Sequence, residues 1–231
     1  MRLRPFQQVD VFTATAYRGN PLAVVLDGSG LSTEAMQQFT DWTNLSEATF
    51  VLPPTPEGRA AGADYRVRIF CPGRELPFAG HPTLGTCHAW LQTGGQPQVA
   101  GRVVQECGVG LVTLRRDGER LAFAAPPLIQ SGPLAEEDVA LIARGLGVAR
   151  SDVVAHAWCD NGPRWRGVLL RSAAQVLALQ PDGAVLAGLD VGVVGATDAA
   201  TGDEAIAFEV RAFLPGHSGL MEDPLTTPRH E

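Results

Sequence analysis

No stretch of the 231-residue chain reaches the ~18 consecutive apolar residues that a membrane helix needs. The first ten residues, Met1 to Asp10, hold no apolar signal core. A cytoplasmic protein with no membrane partner is therefore expected. Positive charge is in the minority: 18 arginines, with no lysine, face 25 acids, for a net charge of −7. A uniformly acidic protein gains nothing from counterion release on a polyanion, which argues against nucleic acid as a partner. Cysteine is sparse. Cys71, Cys87, Cys107 and Cys159 form no C-x-x-C pair and share no metal-ligand spacing with a histidine, so they read as reduced thiols in apolar positions. A disulfide framework does not suit a chain of this size and compartment. The five histidines (81, 88, 156, 217 and 230) form no H-x-x-x-H or H-E-x-x-H, so no metal is expected. No G-x-G-x-x-G or Walker loop is present; the partial match at Cys107-Gly108-Val109-Gly110 lies between strands and reads as a hairpin turn.

What is present is an ordinary globular composition, 45% hydrophobic and 19% charged, with enough chain for one large domain or two small ones. Strands are predicted at Phe6–Phe12, Pro21–Asp27, Thr49–Leu52, Tyr65–Cys71, Val103–Glu106, Leu111–Arg115 and Leu121–Ala125. Between them lie a helix at Ser32–Asn44, with Ser32 as N-cap and Glu34 in the first turn, and an apolar helix at Pro82–Gln92 opened by its proline. The segment between Leu52 and Tyr65 reads as a Pro/Gly-rich loop. Pro126-Pro127 is the candidate boundary, giving domains 1–126 and 127–231. The second half restarts with a helix at Ala135–Leu146 and continues with strands at Val153–Trp158 and Trp165–Leu170, a short helix at Ser172–Leu179, and strands at Val191–Ala196 and Ala205–Phe213. The class is α+β, rich in mixed or antiparallel sheet.

An internal echo links the halves. Phe70-Cys71-Pro72-Gly73 is followed by Gly80-His81-Pro82-Thr83, and Phe213-Leu214-Pro215-Gly216 by Glu222-Asp223-Pro224-Leu225. Each is a strand ending in F-x-P-G, a loop, and a polar residue before proline. Such a repeat implies two copies of one domain, each bringing a polar residue, His81 or Asp223, to the start of a helix.

Two places carry candidate chemistry. At Gly80-His81-Pro82-Thr83 a glycine-containing turn opens a helix whose first N–H groups have no intrahelical partner, an anion site suited to a substrate carboxylate. His81 stands at its mouth, able either to move a proton or merely to cap. Glu47, in Asn44-Leu45-Ser46-Glu47-Ala48-Thr49-Phe50, follows a helix and has apolar or small neighbours. Such a setting tends to raise a carboxyl pKa toward what proton transfer at neutral pH needs, although a solvated glutamate at a helix end is the plain alternative.

Asp10-Val11-Phe12, Gly19-Asn20-Pro21-Leu22-Ala23-Val24-Val25, Leu45-Ser46-Glu47, the long run Arg74 to Thr86, Arg211-Ala212-Phe213 and Glu222-Asp223-Pro224 together resemble, in order and spacing, the phenazine-biosynthesis PhzF-like family, whose fold is that of diaminopimelate epimerase. The resemblance implies two similar domains, each a mostly antiparallel or mixed sheet rolled around a central helix, with the active site between them. It implies a cofactor-free isomerase in which Glu47 is the acid/base and moves a proton across one face of an unsaturated, carboxylate-bearing substrate. His81 and Asp223 would line the site, and Ser46, Gly80, Pro82, Thr83 and Thr226 would contact substrate. The related racemases use a cysteine at each central-helix start; here Ala79 and Thr226 stand at those places, which disfavours a two-cysteine racemase.

The chain departs from the pattern after Asp223. The family continues with a T-G-S-A helix start, whereas this sequence reads Leu225-Thr226-Thr227-Pro228-Arg229-His230-Glu231. The expectation is a second domain lacking its central helix. Either a partner subunit covers the exposed face, giving a homodimer, or the domain is rearranged or loosely ordered from about Val191 onward; in both cases Asp223 is expected to be poorly fixed and turnover weak or absent. The alternative to an isomerase is then a catalytically impaired remnant that binds a small molecule or a partner.

Overall fold

The structure, a computed structural model, describes residues 3–13, 15–118, 120–197, 207–216 and 219–223. The chain divides into two compact units, Met1–Pro127 and Leu128–Glu231. In the first, β1 (Phe6–Val11) and β2 (Asn20–Val25) lead to α1 (Thr33–Thr43), β3 (Ala48–Leu52), α2 (Pro56–Ala60), β4 (Tyr65–Cys71), β5 (Arg74–Leu76), α3 (Gly80–Gln92), β6 (Arg102–Cys107), β7 (Gly110–Asp117) and β8 (Arg120–Phe123). They form one eight-stranded sheet in the order β1-β2-β3-β4-β6-β7-β8, with β5 paired to β4. The pairs β2–β3 and β4–β6 are parallel and the rest antiparallel.

α3 is apolar around most of its circumference, as a helix enclosed by protein must be. It touches β1, β2, β3, β6 and β8, so both edges of the sheet close on the same helix. Alternation in β2 gives that sheet two buried faces. Leu22 and Val24 pack in the core around α3 with Cys87, Ala89, Val67 and Ile69, while Ala23 and Val25 pack outward with Met36, Phe50 and Phe70 beneath α1. Gly85 is needed where α3 meets β1 and β2, because a Cβ there would lie 2.7 Å from Leu22 and 2.8 Å from Val11 side-chain carbons. The helix also carries three buried polar side chains, and each is bonded to the sheet. Thr86 Oγ1 donates to Thr49 Oγ1 at 2.8 Å, Gln105 Nε2 donates to Thr83 Oγ1 at 3.1 Å with Tyr65 Oη on Gln105 Oε1 at 3.0 Å, and His81 meets Asn20.

The segment before Tyr65 is not all loop. Thr55 caps α2 through its hydroxyl, Pro56 occupies the first turn, and the Glu106 carboxylate accepts from Thr55 N and Oγ1 at 2.8 and 2.7 Å. The partner at residue 106 is what stabilises this one-turn helix, and it is remote in sequence.

The second unit holds β9 (Gln130–Gly132), α4 (Glu136–Leu146), β10 (Val153–Asp160), β11 (Trp165–Leu170), α5 (Ala173–Leu177), β12 (Val191–Ala196), β13 (Phe208–Gly216) and β14 (Gly219–Glu222), with the sheet ordered β14-β13-β12-β11-β10-β9. α4 and α5 share a core with Val168, Leu170, Val191, Val193 and Phe213. The alternate residues Leu169 and Val194 are half-buried. Among the described residues from Val191 onward the strands pair in register, Val191↔Phe213 through Ala196↔Phe208 and then Phe213↔Glu222. The Asp223 N–H donates to Ala212 O at 2.9 Å. Strand β13 covers Phe208–Gly216, the expected start at residues 205–206 lies outside the described residues, and β14 adds a hairpin that the sequence did not signal. Thr226 lies outside the described residues. No described helix is long and apolar enough to cross a membrane.

The F-x-P-G echo corresponds to like structure in both units. Each Phe sits near the end of a strand that turns into a hairpin, β4–β5 and β13–β14. Two residues before each Phe an arginine pairs with a glutamate on the returning strand and lies over the Phe ring. Arg68 reaches Glu75 at 2.5 and 2.7 Å and Phe70 at 5.0 Å; Arg211 reaches Glu222 at 2.7 Å through both contacts and Phe213 at 5.0 Å.

Candidate active site

α1 is started by Ser32, whose hydroxyl accepts from Ala35 N, and stopped by Asn44 in the left-handed region at φ 58°. The chain then enters β3, and Ser46 and Glu47 fall on the short connection between the two. Both are buried, Ser46 5% and Glu47 7% exposed. From the other direction β5 delivers the chain through Phe78 and Ala79 into α3, with His81 in the first turn and 5% exposed. The two segments converge: His81 Nε2 stands 3.4 Å from Glu47 Oε2, close but without the alignment of a full hydrogen bond. His81 Nδ1 is 3.4 Å from Asn20 Nδ2, and Asn20 Oδ1 accepts from Ser46 Oγ at 3.2 Å. Asn20, the first residue of β2, is fully buried. Burial pushes the His81 imidazole down to about 3, so the ring is neutral at pH 7.

The start of α3 is uncapped by any side chain, because its N-cap is Ala79. Thr83 N donates to Ala79 O, and Pro82 has no N–H. The amides of Gly80 and His81 find no acceptor among the described residues, and Gly80 is half-exposed. Of the residues expected to bind an anion here, Thr83 faces the other way: it is wholly buried and its hydroxyl is engaged by Gln105. Pro82 is buried as well. The open donors thus narrow to Gly80 and His81. Asp223 belongs to the second unit and is half-buried at the end of β14.

Of the thiols expected in apolar positions, Cys71 and Cys87 are buried and Cys107 is half-buried, whereas Cys159 is exposed. Burial pushes Cys87 up to about 12 and raises Cys107, so neither is a thiolate at neutral pH. Ala79, at the position where a racemase cysteine was considered, offers only a methyl group. Asn20 is the site residue that sequence reasoning left without a role. Its one local signal is a polar side chain heading the apolar run Pro21-Leu22-Ala23-Val24-Val25.

A family model described as "Phenazine biosynthesis-like protein" matches residues 9–228. Antisense-enhancing sequence 1 of Schizosaccharomyces pombe is 41% identical over 186 residues, 76% of this chain and 60% of that protein. The trans-2,3-dihydro-3-hydroxyanthranilate isomerase of Pseudomonas aeruginosa is 38% identical over 177 residues, 75% of this chain and 60% of that enzyme. The chain thus spans about three fifths of the length of these curated relatives. Among solved structures, a Bacillus anthracis phenazine biosynthesis protein of the PhzF family superposes with a TM-score of 0.74 at 22% identity, covering 99% of this chain and 77% of that one. At that identity the likeness concerns the fold, a curled sheet about a helix.

Proposed function

The chain belongs to the phenazine biosynthesis-like family, and from that premise we propose that it is an isomerase working without a cofactor, by acid/base proton transfer on a small, unsaturated, carboxylate-bearing substrate. The observation that carries the reading is the buried contact of Glu47 with His81 beside a helix start whose first amides are open. The substrate carboxylate is taken to bind the amides of Gly80 and His81, where the helix dipole favours an anion. Glu47 as carboxylate then removes a proton from a substrate carbon. The C–H electron pair passes into the adjoining unsaturated system, and the Glu47 carboxylic acid returns the same proton to a second carbon, so the net change is a shifted double bond. A low-dielectric setting strengthens each of these electrostatic contacts. Ser46 supports the arrangement through Asn20. Asp223 is proposed as a further substrate contact on the family resemblance, with Asp223→Asn expected to raise KM more than it lowers kcat. The homodimer expected from the sequence draws on the half-buried face of the second sheet, where Leu169 and Val194 lie.

Trans-2,3-dihydro-3-hydroxyanthranilate, the substrate in the name of the Pseudomonas aeruginosa relative, is the first compound to test. Conversion followed by absorbance and by NMR in deuterated water should show isomerisation. Glu47→Gln should lower the rate by about 10²–10⁴-fold, the usual contribution of a positioned acid/base. An unchanged rate in that variant would remove Glu47 from the role.

A further inference from the structure

We infer that Asn20 is a positioning residue which, held by Ser46, fixes the proton of His81 on Nε2, facing Glu47. The inference deepens the reading of Glu47 as the acid/base and rests on that reading for its catalytic consequence. Two ends of a hydrogen-bond chain require the same tautomer. At one end, Ser46 Oγ–H donates to Asn20 Oδ1 at 3.2 Å, which turns the amide nitrogen toward His81 Nδ1 at 3.4 Å. An amide nitrogen only donates, so Nδ1 must be the acceptor and the ring proton must sit on Nε2. At the other end, Nε2 stands 3.4 Å from Glu47 Oε2. An ionised carboxylate only accepts, so a lone pair on Nε2 would face a negative oxygen, whereas Nε2–H meets it favourably. The hydroxyl of Ser46 can rotate and could in principle serve a reversed amide; the carboxylate at the far end selects the orientation described.

The chain starts and ends on neighbouring residues, Ser46 and Glu47, and runs through Asn20 and His81, which are separated from each other by 61 positions. The Ser46 and Asn20 donors point the same way, toward the carboxylate, so each polarises the next group, and Nε2 faces Oε2 at the end of the line. The consequence is a division of labour. A donor to the charged form favours the carboxylate, keeping Glu47 ready as a base. His81 already carries its proton on the nitrogen nearest the reaction, so the substrate proton has one destination, Glu47, and returns from the same group. Contacts of 3.4 Å are long for hydrogen bonds, and catalytic bonds often tighten only when substrate is bound.

The test is long-range proton–nitrogen NMR of the full chain labelled with ¹⁵N-histidine at pH 7. The wild type should show His81 with Nε2 protonated and Nδ1 bare. Asn20→Asp keeps the shape but offers Nδ1 an acceptor. The proton should move to Nδ1, or the ring should take a second one, and kcat should fall by roughly 10²-fold or more at little-changed KM, the effect of misplacing a histidine proton. Ser46→Ala, a milder change, leaves the amide free to turn and should give a mixture of the two tautomers with a smaller loss. A wild-type ring protonated on Nδ1, or one and the same tautomer in the wild type and in whichever variants fold, overturns the inference. The expected tautomer in a protein without isomerase turnover would instead overturn the proposed function and leave the positioning role standing. Turnover with the proton on Nδ1 would do the reverse.

Discussion

His81 is neutral because the protein removes its solvent, and that neutrality ties folding to pH. Its unfolded value is near 6.5 and its folded value near 3, so between those limits the unfolded chain binds a proton that the folded chain does not. Stability is therefore full above about pH 6.5 and falls as the pH drops toward 3, by at most about 1.4 kcal/mol per pH unit for this one group. His81→Asn should flatten that slope between pH 6.5 and 4 when midpoints of urea unfolding are compared with the wild type. Parallel slopes would show that the ring is charged in the folded protein. Of the candidate site, Glu47 and His81 stood out in the chain through the family resemblance, since their local settings, apolar neighbours and a helix start, fitted a solvated glutamate and a plain cap as well. The reason Asn20 did not is physical. Its role consists of contacts made across 61 and 26 positions, and no local pattern encodes those distances. Thr83, expected at the substrate through the family resemblance, is wholly buried, and its Oγ1 accepts from Gln105 Nε2, a contact across 22 positions.

At the scale of elements, the strongly periodic or strongly apolar segments were read within a residue or two, α1 and β4 among them, because their burial pattern is written locally. The misses, α2, β5, β9 and β14, depend on partners elsewhere: Glu106 for α2, β4 for β5, β10 for β9 and β13 for β14. The F-x-P-G echo was visible, but its full extent was not. The arginine two residues earlier and the glutamate on the return strand make each hairpin a clasp over a buried ring, and one of them ends at Asp223. Arg211 is the better buried of the two, its side chain 13% exposed against 19% for Arg68, and it also donates to Val176 O and Leu179 O. Double-mutant cycles on Arg68/Glu75 and Arg211/Glu222 should both give favourable coupling, about 0.5–1 kcal/mol for the first and roughly 1–3 kcal/mol for the second. Equal couplings would mean that burial does not set their worth. In α3, Gly85→Ala should cost about 1–3 kcal/mol by overpacking against Leu22 and Val11, measured by chemical denaturation. A neutral result would show that β1 yields to the added methyl.

On the scale of the whole molecule, the two units differ in how their sheets are covered. In the first, β2 is buried on both faces, by the core around α3 on one side and by the layer beneath α1 on the other. In the second, the core shared with α4 and α5 lies against Val168, Leu170, Val191 and Val193, while Leu169 and Val194 between them keep part of their surface. Apolar area removed from water contributes about 25 cal/mol per Å², so strands covered twice should resist local opening more than strands covered once. Native-state hydrogen exchange should therefore find the slowest amides in α3, β2 and β4, exchanging only on global unfolding, with those of β11 and β12 exchanging sooner through smaller openings. A homodimer that covers the half-buried face changes this outcome in a recognisable way. Mass action makes its protection depend on protein concentration, so β11 and β12 would match the first unit in concentrated samples and lose protection on dilution. Equal protection of both units at every concentration would overturn the argument from coverage, because it would require the second sheet to reach the stability of the first with one of its faces only half withdrawn from water.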